Sequence, residues 1–303
     1  MNMRNIMSMV CLMVMMVVPS YGKENIGNSD AGQAGAFLEQ GIGARPMSMG
    51  EAFVGVADDA NAVFWNQAGL LQLKKRELTA MYSDPYQNFS DVSYHSITYA
   101  QPLLERFAVG ISGVLSSVGN IPGYDVNNLQ QSNFSVNDWA ILAAAGYRYS
   151  TQLTVGGAIK YVNTQVNGQS DGGLGLDVSL MYQPLEAFRM GLQLQNAIEP
   201  NIKIQSVTGK VPRTFRFGAS YKVIPQLLLS VGLDKASNRD VSINTGGELE
   251  FYNRFFLRGG YTTGKSAWSV GGGVNFDYIQ LDYVFNPNKE LGDSHRFSLG
   301  TRF

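Results

Sequence analysis

The sequence has little of the chemistry that metal sites and nucleophilic enzymes need. Its 303 residues include one cysteine, Cys11, and two histidines, His95 and His295. Zinc ligands and activated nucleophiles are drawn largely from these residue types. Both histidines fall on predicted strands, where we interpret them as lumen or rim residues with ordinary hydrogen bonds rather than as a shared site. We therefore expect no metal, no cofactor and no enzymatic activity.

Positive and negative charges are nearly balanced in the sequence, and long apolar runs are scarce. Lys and Arg total 23 against 24 for Asp and Glu, which gives a net charge of −1. This balance offers no basic surface for nucleic acid, so we expect no nucleic-acid partner. Beyond the N-terminal block no run of about 18 apolar residues occurs, which excludes a bundle of membrane-spanning helices.

The one strong apolar block lies at the N-terminus. Arg4 precedes the apolar stretch 6–18, and small residues follow at the positions that a signal peptidase reads. We predict that residues 1–22 are a removed signal peptide. Because apolar residues continue after Cys11, cleavage directly before an acylated cysteine fits poorly. The exported chain would then hold no cysteine and form no disulfide.

From about Lys75 onward, apolar and polar residues alternate with a period of two. Ile279 and Leu281, for example, fall on one face of a strand, and Gln280 and Asp282 fall on the other. Fourteen segments of this kind are predicted, at 76–83, 91–101, 105–116, 136–149, 151–164, 172–183, 187–197, 212–222, 226–235, 240–251, 253–262, 267–276, 277–286 and 294–303.

The number and spacing of these segments favour a barrel in a membrane. Fourteen is even, and about 16 residues per strand with its connection leave the 9–11 that a tilted strand needs to cross a bilayer. Long or Asn/Gly/Ser-rich connections, among them 117–135, 165–171 and 198–211, alternate with tight turns, as in barrels with short periplasmic turns. The sequence predicts an all-β fold, a 14-stranded antiparallel transmembrane β-barrel over residues 75–303.

The last strand adds a signal for assembly. It alternates and ends at Phe303, which resembles the signal that the bacterial barrel-assembly machinery recognises. We predict export through the signal peptide and insertion into the outer membrane of a Gram-negative-type bacterium, with both termini periplasmic. The expected partners are outer-membrane lipid and the assembly machinery.

The segment 23–74 has a different composition. It is rich in Gly and Ala, carries the helix-compatible stretch 46–53, and places Asp59 as a candidate N-cap before Ala60. Asp58 and Asp59 supply too few oxygens for calcium, so we favour capping over cation binding. A barrel of 14 strands is wider than one that lumen side chains alone can fill. We therefore predict that residues 23–74 form a hatch or plug that gates the lumen.

The stretch 43–70, GARPMSMGEAFVGVADDANAVFWNQAGL, resembles the N-terminal signature of the FadL-like outer-membrane proteins, including the PorV/PorQ branch. That family is built as a 14-stranded barrel with an N-terminal hatch, so the resemblance extends over the chain after the signal peptide. Gln67 stands where the family usually has the proline of Asn-Pro-Ala, which implies a softer turn. The hatch residues marked by the resemblance are Gly43, Arg45, Met49, Gly50, Asp58, Asp59, Trp65, Asn66, Gln67 and Gly69.

Charged residues recur on the polar faces of the predicted strands. We favour a lattice of cross-strand ion pairs that keeps the lumen wet and the wall rigid, and the alternative is a selectivity surface for an amphipathic solute. The lumen-facing candidates are Arg148, Lys160, Asp177, Arg189, Arg216, Glu248, Arg258 and Asp282.

The resemblance leaves two functions open. Similarity to FadL-like transporters implies passive passage of hydrophobic or amphipathic small molecules across the outer membrane. Similarity to PorV and PorQ implies a component of type IX secretion that docks secreted proteins. Apolar lining beneath the hatch would favour passage, whereas an exposed apolar patch on the outer loops would favour a protein partner.

Overall fold

A computed structural model describes residues 34–86, 91–125, 127–204, 207–265, 267–287 and 292–303. The predicted signal peptide and the start of the predicted hatch, residues 23–33, lie outside the described residues. The strands are β1 Glu77–Asp84, β2 Val92–Leu104, β3 Phe107–Ile121, β4 Phe134–Arg148, β5 Leu153–Val166, β6 Gln169–Leu185, β7 Phe188–Ile198, β8 Asn201–Ile204, β9 Val207–Lys210, β10 Thr214–Ile224, β11 Leu227–Ala236, β12 Ser242–Phe251, β13 Phe255–Thr262, β14 Ala267–Phe276, β15 Ile279–Asn286 and β16 Ser294–Arg302.

Fourteen of these strands close into one antiparallel barrel, as predicted. Each strand pairs with its neighbour in sequence, except that β7 pairs with β10 because β8 and β9 form a separate hairpin. The first strand closes the barrel against the last, in a register that runs from Glu77 opposite Arg302 to Asp84 opposite His295.

Two connections differ from the prediction. The stretch 165–171, expected to be a long loop, is a two-residue turn at Asn167 and Gly168, whose φ angles of 48° and 77° are those of a tight hairpin turn. Consequently β5 and β6 extend further than the sequence indicated. The connection 198–211 contains the hairpin β8–β9, which folds over the lumen so that Asn201 lies against Gly173 on β6.

The strand alternation separates two environments. On β15 and β16, Leu281 and Leu299 face outward with about half of their surface exposed, at 48% and 54%, whereas Asp282 and Ser298 between them are buried. The outer surface is therefore apolar, and the polar side chains of these strands are turned inward. This distribution is the one that a transmembrane barrel requires.

The helices are short and lie between residues 36 and 72. They are two α-helices, Ala44–Ser48 and Ala62–Trp65, and two 3-10 turns, Ala36–Gln40 and Gln67–Gln72. The longer helix predicted over 46–53 is wrong, because the chain turns at Gly50 and Glu51, both with positive φ. No helix in the described parts of the chain is long and apolar enough to cross a membrane.

Residues 34–73, which we call the luminal segment, fill the barrel. Trp65, Phe64, Phe53 and Met49 have no exposed surface, and they form one apolar cluster with inward residues of the wall. We call the end of the barrel that carries the longer connections the long-loop end and the opposite end the short-turn end. The segment enters near the long-loop end, where Gly35 contacts Val211. It leaves at the short-turn end, where Leu73 precedes β1. The hydrophobic core of the protein is thus inside the barrel.

Inward glycines let the backbone of the luminal segment touch the backbone of the wall. A Cβ atom at Gly260 would lie 2.2 Å from the Gly50 nitrogen, and one at Gly191 would lie 2.2 Å from the Val54 oxygen. Real side chains do not tolerate such distances, so only glycine fits. Similar contacts occur at four more inward glycines, which are Gly146, Gly156, Gly218 and Gly246. We call these six positions the glycine layer.

Candidate functional site

Arg45, in the first turn of the helix Ala44–Ser48, connects the luminal segment to the wall. Its Nη1 donates to the Asp58 carboxylate at 2.6 Å and to the Asp59 carboxylate at 2.9 Å. Its Nε and Nη2 donate to both oxygens of Glu248 on β12, at 2.7 and 2.9 Å. A two-point guanidinium–carboxylate contact of this kind fixes geometry as well as charge. The aromatic ring of Phe53 packs 5.3 Å from the guanidinium.

The contacts of Arg45 continue along the wall. Arg258 on β13 donates to Glu248 and to Asp282 on β15, each at 2.6 Å. On the other side, Arg189 on β7 lies 3.5 Å from Asp58. Four strands and the luminal segment therefore share one charge network. We call its six members, Arg45, Asp58, Arg189, Glu248, Arg258 and Asp282, the Arg45 network.

Electrostatics keep Arg45 and Asp58 ionised. Burial by itself would raise the pKa of Asp58, but the attraction of Arg45 and Arg189 outweighs it, and the pKa lies below its usual value. Burial would lower the pKa of Arg45, but Asp58, Glu248 and Asp59 raise it well above its usual value. The pair therefore stays charged although both side chains are mostly buried.

The charged residues on the wall lie next to the glycine layer. On each strand the charged residue and the glycine are two residues apart, so they occupy neighbouring positions that face the lumen. On β12, Glu248 follows Gly246, and on β13, Arg258 precedes Gly260, in each case two residues nearer the short-turn end of the barrel. The same spacing places Arg189 next to Gly191 on β7. Because inward positions recur every second residue, the wall presents a ring of glycines and, below it, a ring of charges.

The other predicted lumen-facing residues also point inward, in two further places. Lys160 and Asp177 form a fully buried pair at 2.7 Å. Arg216 lies 3.5 Å from Asp234 and packs over the rings of Phe64 and Trp65, at 5.8 and 5.1 Å. These contacts surround apolar side chains of the luminal segment. The expectation that the lattice keeps the lumen wet is therefore wrong at this level of the barrel.

Arg148 lies at the short-turn end, where its Nη2 donates to the Leu71 carbonyl at 3.0 Å. It contacts the luminal segment rather than a neighbouring strand. The cross-strand lattice thus accounts for some of the inward charges, and the luminal segment is the partner of the rest, including Arg45 itself.

Asp59 makes the capping bond that the sequence predicts. Its Oδ1 accepts from the Asn61 nitrogen at 2.8 Å, at the start of the turn that leads into the helix Ala62–Trp65, and also from the Asn61 side chain. Asn61, which directly precedes the helix, makes no side-chain capping bond. The other Asp59 oxygen accepts from Arg45, so one carboxylate caps the turn and joins the charged contacts of Arg45.

The remaining motif residues hold the luminal segment together. The Trp65 ring nitrogen donates to the Ile42 carbonyl at 2.9 Å. The Asn66 amide donates to the Val54 carbonyl, and its oxygen caps the 3-10 turn by accepting from the Ala68 nitrogen. Gly43 has a φ of 82°, Gly69 lies against the Ala57 carbonyl, and Met49 packs on Gly246.

Gln67, at the position of the missing proline, is fully buried, and its side chain donates to the Val63 carbonyl at 3.0 Å. This bond ties the turn to the preceding helix.

Two water-accessible spaces border the Arg45 network. A vestibule of about 500 Å³ opens at the short-turn end and reaches Arg45, Asp58 and Arg258. A second space of about 20 Å³ lies beside Arg45, between the luminal segment and β15, β16 and β1. Its lining includes Ser298 and Thr79. On this side the luminal segment meets polar side chains of the wall.

The long-loop end is closed by residues that the sequence analysis did not single out. Glu39 pairs with Arg239, and Glu51 pairs with Lys265. Burial would raise the pKa of Glu51, but Lys265 lowers it below its usual value. Arg296 donates to the Gln40 carbonyl at 2.8 Å. These partners lie at least 200 residues apart in sequence, so no local pattern could have revealed them.

The histidines lie outside the lumen. His95 packs against Tyr82 on the outer face, and His295 Nδ1 lies 2.8 Å from the Tyr283 hydroxyl. No cluster of metal-binding side chains occurs among the residues that the structure describes. Phe303 pairs through its backbone with Arg76, and its ring is 55% exposed. Its role as an assembly signal stays a prediction.

Solved structures with the same fold are channels. The chain is similar to the monoaromatic hydrocarbon channel CymD, at a TM-score of 0.67 and 13% identity, over 87% of this chain and 98% of that one. It is also similar to the toluene transporter TodX of Pseudomonas putida, at 0.60 and 13%, over 86% and 96%. For a FadL homologue of Pseudomonas aeruginosa the values are 0.61 and 12%, over 84% and 97%. No family model and no curated protein matches the sequence. At these identities the similarity establishes the fold.

Proposed function

We propose that the protein is an outer-membrane channel for the passive passage of hydrophobic or amphipathic small molecules. The observation that carries the proposal is the vestibule that reaches the Arg45 network inside a closed barrel with an apolar outer face. The fold of this chain is that of a monoaromatic hydrocarbon channel and of a toluene transporter. Placement in the outer membrane belongs to the same proposal.

Passage requires part of the luminal segment to move, because the segment fills the barrel. The glycine layer is a poor place for movement, since backbone there lies against backbone. The side facing β15, β16 and β1 is better suited. There the Gly43 and Ala44 nitrogens donate to the Met81 sulfur and to the Ser298 hydroxyl. The proposed route runs along this side, from the vestibule past Arg45.

Arg45 is the gating residue on this route. It borders both the vestibule and the smaller space, and it holds Asp58, Asp59 and Glu248 in one place. When these ion pairs separate, the helix Ala44–Ser48 can move from Ser298 while the glycine layer stays in contact.

The test is uptake of toluene into proteoliposomes that contain a solvatochromic dye. Wild-type protein should admit toluene faster than protein-free vesicles, and Arg45→Gln should admit it faster still. A matched control is Arg239→Gln, which removes an ion pair at the closed long-loop end. If the folded wild-type protein and Arg45→Gln both equal protein-free vesicles, the channel proposal is wrong.

Docking of secreted proteins is the second candidate, and one observation favours it. Tyr124 and Leu129, in the loop between β3 and β4, are 60% and 62% exposed. An apolar pair on an outer loop suits a protein partner. Loss of a secreted protein from the cell surface in Tyr124→Ser/Leu129→Ser, with unchanged toluene uptake, would support this function instead.

A further inference from the structure

The outer face of the barrel carries a groove. It crosses five neighbouring strands along a row of residues that are paired from each strand to the next. Its volume is about 790 Å³. The floor is the backbone of five residues, one on each strand from β13 to β1. These residues are paired from strand to strand, and each occupies a position that faces the lumen. In order around the barrel these residues are Phe256, Gly273, Asp282, Ser298 and Met81.

Two rows of outward side chains form the rims. One rim consists of aliphatic and small residues with one ring, and the other consists mainly of rings. Neighbouring rings contact one another, with centroids 4.9 Å apart for Tyr283 and Phe297 and 5.3 Å apart for Tyr82 and His95. The first rim is Phe255, Val274, Leu281, Leu299 and Ala80, and the second is Gly272, Tyr283, Phe297, Tyr82 and His95.

The dimensions of the groove suit a hydrocarbon chain. The rims are two residues apart along each strand, or about 7 Å, which leaves room for one chain of methylene groups. From β13 to β2 the groove crosses five strand spacings of about 4.8 Å, or about 24 Å. With strands tilted by about 40°, this length rises about 15 Å along the barrel axis, which is half of a hydrocarbon core of about 30 Å.

The two ends of the groove differ in polarity. Phe255, the first residue of β13, lies near the short-turn end, in apolar surroundings that include Phe251. His95 lies near the long-loop end of β2, and the Tyr283 hydroxyl and His295 lie beside the same rim. Imidazole N–H and phenol O–H groups are donors for the ester and phosphate oxygens where a lipid's chains begin.

We propose that this groove binds one acyl chain of a membrane lipid, with the lipid head group at the His95 end. The proposal rests on the membrane placement proposed above, but it is independent of passage through the lumen. Because the surrounding lipid is as apolar as the groove, the chain is held by van der Waals packing against the rings rather than by transfer from water. A row of rings offers more contact area per methylene than small side chains do.

Photochemical labelling tests the proposal. The protein is placed in phosphatidylcholine nanodiscs with a trace of phosphatidylcholine that carries a diazirine on one acyl chain, and labelled peptides are mapped by mass spectrometry. Label should concentrate on peptides that contain Val274, Leu281 and Phe297. Ala80→Trp fills the groove and should reduce this label severalfold, to the level of the other outward faces.

The matched control is Ala143→Trp, at an outward alanine on β4 on another part of the wall. It should leave the groove label unchanged. Folding of both variants is judged by heat-modifiable migration, and Gly272→Leu replaces Ala80→Trp if the latter does not fold. The proposal would be overturned if all outward faces were labelled to the same extent and Ala80→Trp did not change this labelling. Protein–protein cross-links at this face in place of lipid label would also overturn it, since a second copy would then occupy the groove.

Discussion

The glycine layer and the Arg45 network lie one inward position apart, yet they hold the luminal segment in different ways. At Gly260 and Gly191 the contact is backbone against backbone, with no space for a methyl group. At Arg45 the contact is between charged side chains that border a vestibule of about 500 Å³. Close packing allows no partial opening, whereas ion pairs beside water can separate. The comparison distinguishes a fixed anchor from a releasable contact in the same segment.

The largest effect should follow from a side chain in the glycine layer. Gly260→Val would place Cβ 2.2 Å from the Gly50 nitrogen and 2.3 Å from the Met49 carbonyl carbon. Backbone on both sides cannot move aside, so the cost should exceed the ~1–3 kcal/mol of ordinary overpacking. We expect no heat-modifiable barrel on gels.

The neighbouring Gly259→Val is the control for this change. Gly259 faces outward, and the nearest atom to its Cβ would be the Ser269 oxygen at 3.9 Å. This variant should assemble normally. Equal assembly of the two variants would show that the luminal segment is not anchored by the glycine layer.

The next effect in size is expected at the centre of the charge network. Arg45→Gln leaves Asp58, Asp59 and Glu248 without their main cation, and breaking a buried pair in this way costs about 3–5 kcal/mol. The barrel should assemble, with a lower urea midpoint and higher conductance in planar bilayers. Arg45→Lys keeps the charge and should recover part of both. Unchanged conductance in Arg45→Gln would remove the gating role of Arg45.

Acid should act on the same network more gently. The pKa of Asp58 in the folded protein lies below its usual value of 3.8, so ionised Asp58 contributes full stability above that pH. The contribution is lost as the pH falls through the lower folded pKa. Loss of the Asp58 pair should therefore raise the conductance only below about pH 4. Arg45→Gln, which lacks the pair, should show a smaller rise, and an equal rise would assign the response to other groups.

The smallest effect is expected at Gln67. Gln67→Pro restores the residue that FadL-like proteins usually have and removes the hydrogen bond to the Val63 carbonyl. Asn66 is extended and Gln67 is the first residue of the 3-10 turn, so proline fits the backbone there. The free energy of unfolding measured by urea titration should change by less than about 1 kcal/mol. A loss several times larger would mean that the side-chain bond, rather than the turn, holds this part of the segment.

The fold was predictable because it depends on local alternation. Each strand, including the one with Leu281 and Asp282, has an apolar face and a polar face, and both can be identified without knowledge of the neighbouring strands. The same alternation placed Arg189, Glu248 and Arg258 in the lumen. It could not identify Arg45 as their partner, because Arg45 and Glu248 are 203 residues apart.

Other features depended on tertiary contacts. The stretch 46–53 has helical composition, but Gly50 must turn to touch β13, which ends the helix early. Asp59 caps the turn as predicted, but the sequence does not reveal the buried guanidinium that lies 2.9 Å from it. The sequence predicts a hatch that gates the lumen, but it does not reveal that the contacts of the hatch with the wall divide it into an anchored side and a polar side.

Two engineered disulfides test that division most directly. Because the only cysteine, Cys11, lies in the predicted signal peptide, the exported protein supplies a background without competing thiols. Ala44→Cys/Ser298→Cys joins the segment to the wall on the proposed route, where the Ala44 nitrogen lies 2.9 Å from the Ser298 hydroxyl. Ala68→Cys/Ser179→Cys joins an equivalent contact of 3.0 Å on the anchored side.

Toluene uptake is then measured with each pair oxidised and reduced. The account predicts that the 44–298 disulfide blocks uptake, that dithiothreitol restores it, and that the 68–179 disulfide has no effect. A block by the 68–179 disulfide, or free passage through protein locked at 44–298, would contradict it.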